Sequence, residues 1–230
     1  MQVKDTESFK KAIDQLATII EEGNLHISVS GISVIALDKT NIVFLKALFP
    51  NSVIENDFDP IAMGLNFQEF NKLVSKVGND EKMNFVLHDT EVEIRAEGNY
   101  TRSYFLPIIE VKEPSIEFKL DKYTVTLTEK GTILRDIFRS TSTVASSVTI
   151  KVDEHLTILA EGIQGRFLTK MDVGNEPGPF NVRFSTLQLF NLIKNADNEV
   201  TLKLGNNSPL YGTYTIGEIK IEFLLAHMLI

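Results

Sequence analysis

A fourfold repeat constrains this chain more than any other feature of its sequence. Apolar residues fall at helical spacing four times, and the helix starts lie about 60 residues apart. The first predicted helix covers residues 7–22, with Phe9, Ile13, Leu16 and Ile20 on one stripe. The second covers 66–77, with Phe67, Phe70 and Val74. The third covers 130–140, with Ile133, Leu134, Ile137 and Phe138. The fourth covers 185–195, with Leu189, Phe190 and Ile193. Asn66 and Ser185 suit N-caps, because a short side-chain oxygen accepts a free first-turn N–H. Gly23 is expected just past the end of the first helix.

Three runs of strand character follow each helix. They cover residues 25–30, 32–37 and 42–49, then 83–88, 91–96 and 100–109, then 147–152, 155–160 and 166–172, and last 199–204, 211–216 and 218–226. An apolar strand also precedes each helix, as at 61–65 and 180–184. One such β-α-β-β-β unit has a single helix to cover its strands. Two units side by side bury a core under two helices, so the expected fold is α+β, with helices on one face of the sheets. The expected domains are residues 1–108 and 123–230, joined by a charged, proline-containing connector, 109–122.

Several function classes drop out. The 230 residues contain no cysteine, which removes disulfides, thiolate metal sites and cysteine nucleophiles. No apolar run approaches the ~20 residues of a membrane span, and the N-terminus has no apolar signal region. His26, His88, His155 and His227 lack metal-ligand spacing. No Gly-rich phosphate loop or nucleophile elbow is present. Asp57-Phe58-Asp59 matches only half of a calcium loop. Gly174-Asn175-Glu176-Pro177-Gly178 is a turn with no helix behind it. The expectation is a protein without catalytic residues, metal or cofactor.

Charge is informative once divided by segment. With 31 acidic and 23 basic side chains the chain carries −8, which argues at first against nucleic acid. The four helical spans hold eight basic residues, Lys10, Lys11, Lys72, Lys76, Lys130, Arg135, Arg139 and Lys194, against seven acids. They are therefore +1 and the remainder −9. Lys72 and Lys76 share a helix face, as do Arg135 and Arg139, each pair at i, i+4. On one helix this would be an ordinary solvated face. Recurrence across the repeat opens a second reading, a basic surface built from helices.

Longer stretches carry a family resemblance. They are Ile20-Glu21-Glu22-Gly23-Asn24-Leu25, Gly31-Ile32-Ser33-Val34-Ile35-Ala36-Leu37-Asp38, Ala62-Met63-Gly64-Leu65-Asn66-Phe67, Asn71-Lys72-Leu73-Val74 and Phe223-Leu224-Leu225-Ala226. From about Val3 to Ala226 the chain resembles sliding clamps of the proliferating cell nuclear antigen (PCNA) type, archaeal ones above all. The resemblance implies the DNA-clamp fold and a three-subunit ring that encircles double-stranded DNA without reading its sequence. Lys10, Lys11, Lys72, Arg135, Arg139 and Lys194 would face the hole, and helix geometry adds Lys76. Ala17 and Ser75 stand where some relatives carry a base.

Ring closure would join edge strands, with Tyr100, Arg102 and Tyr104 on one side and Arg166, Leu168 and Lys170 on the other. As sequence alone, these are ordinary edge strands. A pocket for docking peptides of the clamp loader, DNA polymerase, flap endonuclease and ligase would involve Leu37, Asn41, Ile42, Pro114, Ile116, Pro209, Leu224, Leu225 and Ala226. The same residues also suit the cores of the two domains. The terminal His227-Met228-Leu229-Ile230 departs from the family's usual ending. Implied too are self-association as a trimer or with paralogues, and a place on the nucleoid in an archaeon or in the nucleus of a eukaryote. Alternatives are a subunit of a heteromeric ring, or an enzyme or ligand-binding protein on a duplicated scaffold.

Overall fold

The computed structural model describes the whole chain except residues 57–58, 115–122, 153–154, 174–179, 207 and 229–230. Ile116, the Asp57-Phe58 pair, the 174–178 turn, Leu229 and Ile230 therefore lie outside the described residues. Contacts divide the chain into two compact units, Met1–Ser115 with Ile216–Ile221 and Ile116–Thr215 with Glu222–Ile230.

The first unit runs β1 Gln2–Val3, α1 Thr6–Ile19, β2 Glu22–Ser28, β3 Gly31–Leu37, β4 Val43–Pro50, β5 Ile54–Glu55, β6 Ile61–Asn66, α2 Phe67–Val74, β7 Lys82–Leu87, β8 Glu91–Glu97 and β9 Thr101–Pro107. The second runs β10 Val125–Lys130, α3 Gly131–Val144, β11 Ser147–Val152, β12 Leu156–Gly162, β13 Gly165–Met171, β14 Phe180–Ser185, α4 Thr186–Leu192, β15 Glu199–Leu204, β16 Leu210–Ile216 and β17 Ile219–Leu225. The repeat read from the sequence is thus the order of elements along the chain, with the short β5 added between β4 and β6. The strands of each unit belong to two sheets. In the first unit the orders are β5-β1-β7-β8-β9 and β4-β3-β2-β6, and in the second β13-β12-β11-β14 and β10-β15-β16-β17.

The first unit is locked by phenylalanines contributed from every layer. Phe9 of α1 lies 5.6 Å from Phe49 of β4 and 5.6 Å from Phe85 of β7. Phe70 of α2 lies 5.8 Å from Phe85 and 6.4 Å from Phe67. All five rings are buried. In the second unit, Phe138, Leu134, Leu189, Phe184 and Leu202 are buried, and the Tyr214 hydroxyl donates to the Leu192 carbonyl at 2.9 Å. That bond satisfies the one polar atom of a buried ring.

Helix starts follow the predicted chemistry. Asn66 accepts from Glu69 N–H at 3.0 Å and Ser185 from Gln188 N–H at 3.4 Å, while Asp5 caps α1 through Ser8 N–H at 3.0 Å. The expectation for Gly23 is corrected. The first helix ends at Ile19, and Gly23 lies within β2, opposite Leu65. Its place is set by packing, since a Cβ there would meet the Phe67 ring at 3.0 Å and the Ala36 methyl at 3.2 Å. The third helix runs on past residue 140 to Val144.

Each unit closes in the same way. After β9, the Ile109 N–H donates to the Gly64 carbonyl of β6 at 2.9 Å. After β17, the Met228 N–H donates to the Arg183 carbonyl of β14 at 2.8 Å. Strands β6 and β14 each end their sheet, so these returns cover edges that would otherwise stay open.

β9 is held to its neighbour by a buried carboxylate. Glu93 accepts from the Ser103 hydroxyl at 2.6 Å and from Arg95 at 3.0 and 3.3 Å, and its second oxygen lies 3.2 Å from His88 Nε2. The Ser103 bond, then Arg95 and His88, hold its pKa down to about 2, against 4.5 for an ordinary glutamate. A depressed carboxylate stabilises the fold above the unfolded pKa, and that contribution fades as pH falls from about 4.5 toward about 2.

Two outcomes follow from this packing. Phe9→Ala should lower stability by about 3–5 kcal/mol in urea unfolding, because it empties the ring cluster. Between about pH 7 and pH 3, Glu93→Gln should lose less stability than the unsubstituted protein, though it starts lower; equal losses would exclude this carboxylate as an acid-sensitive element.

Candidate functional site

The helix-borne cations fall into two groups. Lys10 and Arg135 are each the fifth residue of a fourteen-residue helix, α1 or α3. Lys10 Nζ donates to the Val77 carbonyl at 2.6 Å and to Asn79 Oδ1 at 3.0 Å. Arg135 donates to the Lys194 carbonyl at 2.9 Å, the Ala196 carbonyl at 3.4 Å and Asp197 Oδ1 at 3.2 Å. Both reach the segment just after the neighbouring helix, α2 or α4. Lys194 is half-buried.

The others sit nearer water. Lys11 pairs with Glu7 at 3.0 Å and Lys72 with Glu69 at 2.6 Å, both between neighbouring turns of one helix. Such pairs between mobile side chains contribute little and exchange readily. Lys76 is exposed, and the exposed Arg139 lies 5.6 Å over the Phe190 ring. Stacking leaves the guanidinium edges open to an acceptor.

A groove of about 670 Å³ lies within the first unit. Its walls are the start of β2, the end of β3 and residues 111–114, and its lining includes Leu37, Asn41 and Pro114. The turn beside it is made rigid by Asp38, whose Oδ1 accepts from Ile42 and Val43 N–H at 2.8 Å each. Its other oxygen accepts from the Thr40 N–H at 3.3 Å and from the Thr40 hydroxyl. Asn41 takes φ 57°, a left-handed conformation that asparagine tolerates, and Ile42 stands 38% exposed. Lys39 and Glu21 form an ion pair at the rim.

The far wall is tied down by polar contacts. Asn24 Nδ2 donates to the Val111 carbonyl at 3.0 Å and to Glu113 Oε1 at 2.5 Å, and His26 Nε2 lies 2.8 Å from the same oxygen. Gly64 is required beneath it, since a Cβ there would stand 2.2 Å from the Ile109 carbonyl oxygen. In the second unit, Pro209 and Leu224 are half-buried, Ala226 is exposed, and Leu225, 1% exposed, belongs to the core.

The expected seam strands are sheet edges, β9 and β13. On β9, Arg102 is engaged within its own unit. It forks onto Glu81 at 2.7 and 2.7 Å, donates to the Lys76 carbonyl at 2.9 Å and to the Tyr104 hydroxyl at 3.0 Å, and lies 5.2 Å over the Tyr100 ring. The fork lowers the Glu81 pKa and raises that of the guanidinium. Tyr100 is exposed and Tyr104 half-buried. On β13, Arg166 pairs with Glu161 at 3.1 Å, and Leu168 and Lys170 are exposed.

Sequence reasoning missed Asn24, His26 and Glu113 as the tether of the connector, and Phe105 as a 52% exposed aromatic on the β9 edge. Gly64 inside an apolar strand was the available signal, because glycine there marks a close backbone approach. Nothing in the sequence marks Asn24, whose partner lies 89 residues away.

Comparison with known proteins gives consistent results. The family model for the PCNA N-terminal domain matches residues 1–99. The chain is 25% identical to DNA polymerase sliding clamp 1 of Pyrobaculum aerophilum, over 96% of this chain and 95% of that protein. It is 28% identical to the DNA polymerase sliding clamp of Thermococcus sibiricus, over 96% and 94%. The crystal structure of Proliferating Cellular Nuclear Antigen from Entamoeba histolytica shares the fold at a TM-score of 0.89 and 20% identity, over 99% of this chain and 98% of that one. The PCNA2-PCNA3 complex of Sulfolobus tokodaii does so at 0.86 and 18%, over 99% of each chain. The N-terminal portion of this chain thus matches the PCNA family model, its length aligns to archaeal sliding clamps, and its fold is that of solved PCNA chains.

Proposed function

We propose that the chain is one subunit of a ring that encircles duplex DNA and slides along it, a non-catalytic processivity factor that docks replication and repair proteins. The observation that carries this is the placement of Lys72, Lys76 and Arg139. They project from or just beyond helices, on surfaces turned away from the buried cores, in a chain whose remainder is acidic. Cations so placed neutralise phosphates without touching base edges, which positions a duplex and leaves its sequence unread. Retention comes from topology, so the contacts can be weak and the ring can move.

In this proposal residues 1–108 and 123–230 are the two clamp domains and 109–122 the connector. Short peptides of the clamp loader, polymerase, flap endonuclease and ligase dock beside the turn that carries Asn41 and Ile42. Leu37 and Pro114 line the groove there, and the family resemblance assigns Ile116, Pro209, Leu224 and Ala226 to peptide docking as well. The seam joins β9 to β13 of the next subunit, a head-to-tail contact that closes when the rotation per subunit fits.

A second reading is a heteromeric ring. β13 carries exposed Arg166 and Lys170 and no acidic residue, so a paralogue with an acidic edge would complement it. Native mass separates the two: a homotrimer runs at three times 25.8 kDa, and a chain that waits for paralogues runs smaller alone.

Lys72→Glu combined with Arg139→Glu should reduce processive synthesis on primed circular DNA while native mass is unchanged. Normal processivity in that variant would remove the proposed DNA face. Ile42→Asp should weaken a docking peptide by about tenfold, roughly 1.4 kcal/mol, in calorimetry; unchanged affinity would place the peptide elsewhere.

A further inference from the structure

Resting on the DNA-encircling reading, we propose that Lys10 and Arg135 are positioning residues that brace the helix pairs, and that phosphate contact is left to Lys72, Lys76 and Arg139. The basis is a coincidence that occurs twice. Each residue is the fifth of its helix, and each sends its cation across to carbonyls just beyond the end of the partner helix. These carbonyls follow the C-caps Ser75 and Ile193, past the last helical turn and close to the negative end of the helix dipole. A lysine or arginine side chain there donates to them and meets that partial charge. The side-chain acceptors match as well, Asn79 Oδ1 at 3.0 Å in one unit and Asp197 Oδ1 at 3.2 Å in the other.

For either residue to hold a phosphate, two or three of these bonds would have to break, and the carbonyls beyond the helix would lose the donor. The exposed cations face no such exchange. Lys72 gives up only a surface partner, Glu69, and Arg139 keeps its stack on Phe190 while its edges contact an acceptor.

The test compares Lys10→Met and Arg135→Met with Lys72→Met and Arg139→Met in the full chain, methionine keeping the apolar stem. Two quantities are measured on variants of unchanged native mass. One is the slope of log affinity against log salt for a short linear duplex. The other is amide hydrogen exchange over residues 77–79 and 194–197.

Lys72→Met and Arg139→Met should flatten the slope by about 1 for each phosphate that is no longer neutralised, and leave exchange unchanged. Lys10→Met and Arg135→Met should leave the slope intact and speed exchange at the helix ends about tenfold, with Lys10→Arg restoring protection. A slope flattened by about 1 in Lys10→Met or Arg135→Met, or unaltered exchange, would overturn the assignment. If the unsubstituted protein shows no salt-dependent duplex binding, the DNA-encircling reading fails, and the exchange data still decide the bracing role.

Discussion

No single β-α-β-β-β unit in this chain can bury its own apolar face, and the meeting of the Phe9, Phe49, Phe67, Phe70 and Phe85 rings is how two of them solve that problem together. The rings come from α1, β4, α2 and β7, so the cluster joins both helices to strands of both sheets. It places the helix cations of the first unit. Because the rings hold the helices by one face, the opposite face is left for charge.

The helix cations show why net charge was a poor guide. At −8 the chain looks unsuited to a polyanion, and the division into +1 on the helices and −9 elsewhere recovers the reading only in part. Geometry divides the helix set again. Lys10 and Arg135 are committed to backbone carbonyls, whereas Lys72, Lys76 and Arg139 keep their charge near solvent. A basic residue on a helix therefore has at least two uses, and hydrogen-bond partners tell them apart where composition does not.

Much of the fold was legible because the repeat reports it four times over. Helix stripes such as Phe67, Phe70 and Val74, and caps such as Asn66 and Ser185, depend on residues a few positions apart, which is the range that sequence patterns report. Gly23 was misplaced for the complementary reason. Its neighbours are Phe67 and Ala36, and local sequence offers a helix end as the simpler use of a glycine. For the candidate site the sequence offers positions and not bonds. Ile42 and Arg139 stand exposed, but the fork of Arg102 on Glu81 and the tether of Glu113 on Asn24 depend on tertiary approach.

The paired returns, Ile109 onto Gly64 and Met228 onto Arg183, bear on how such a chain can change over generations. Both are made by backbone N–H and C=O groups, which every residue except proline supplies in full. Such a stitch asks for a side chain only where the two backbones crowd, so the first unit needs glycine at residue 64 while the second carries arginine at residue 183. A duplicated protein built on contacts of this kind can lose almost all resemblance between its halves, and to distant relatives, while its architecture stays in place.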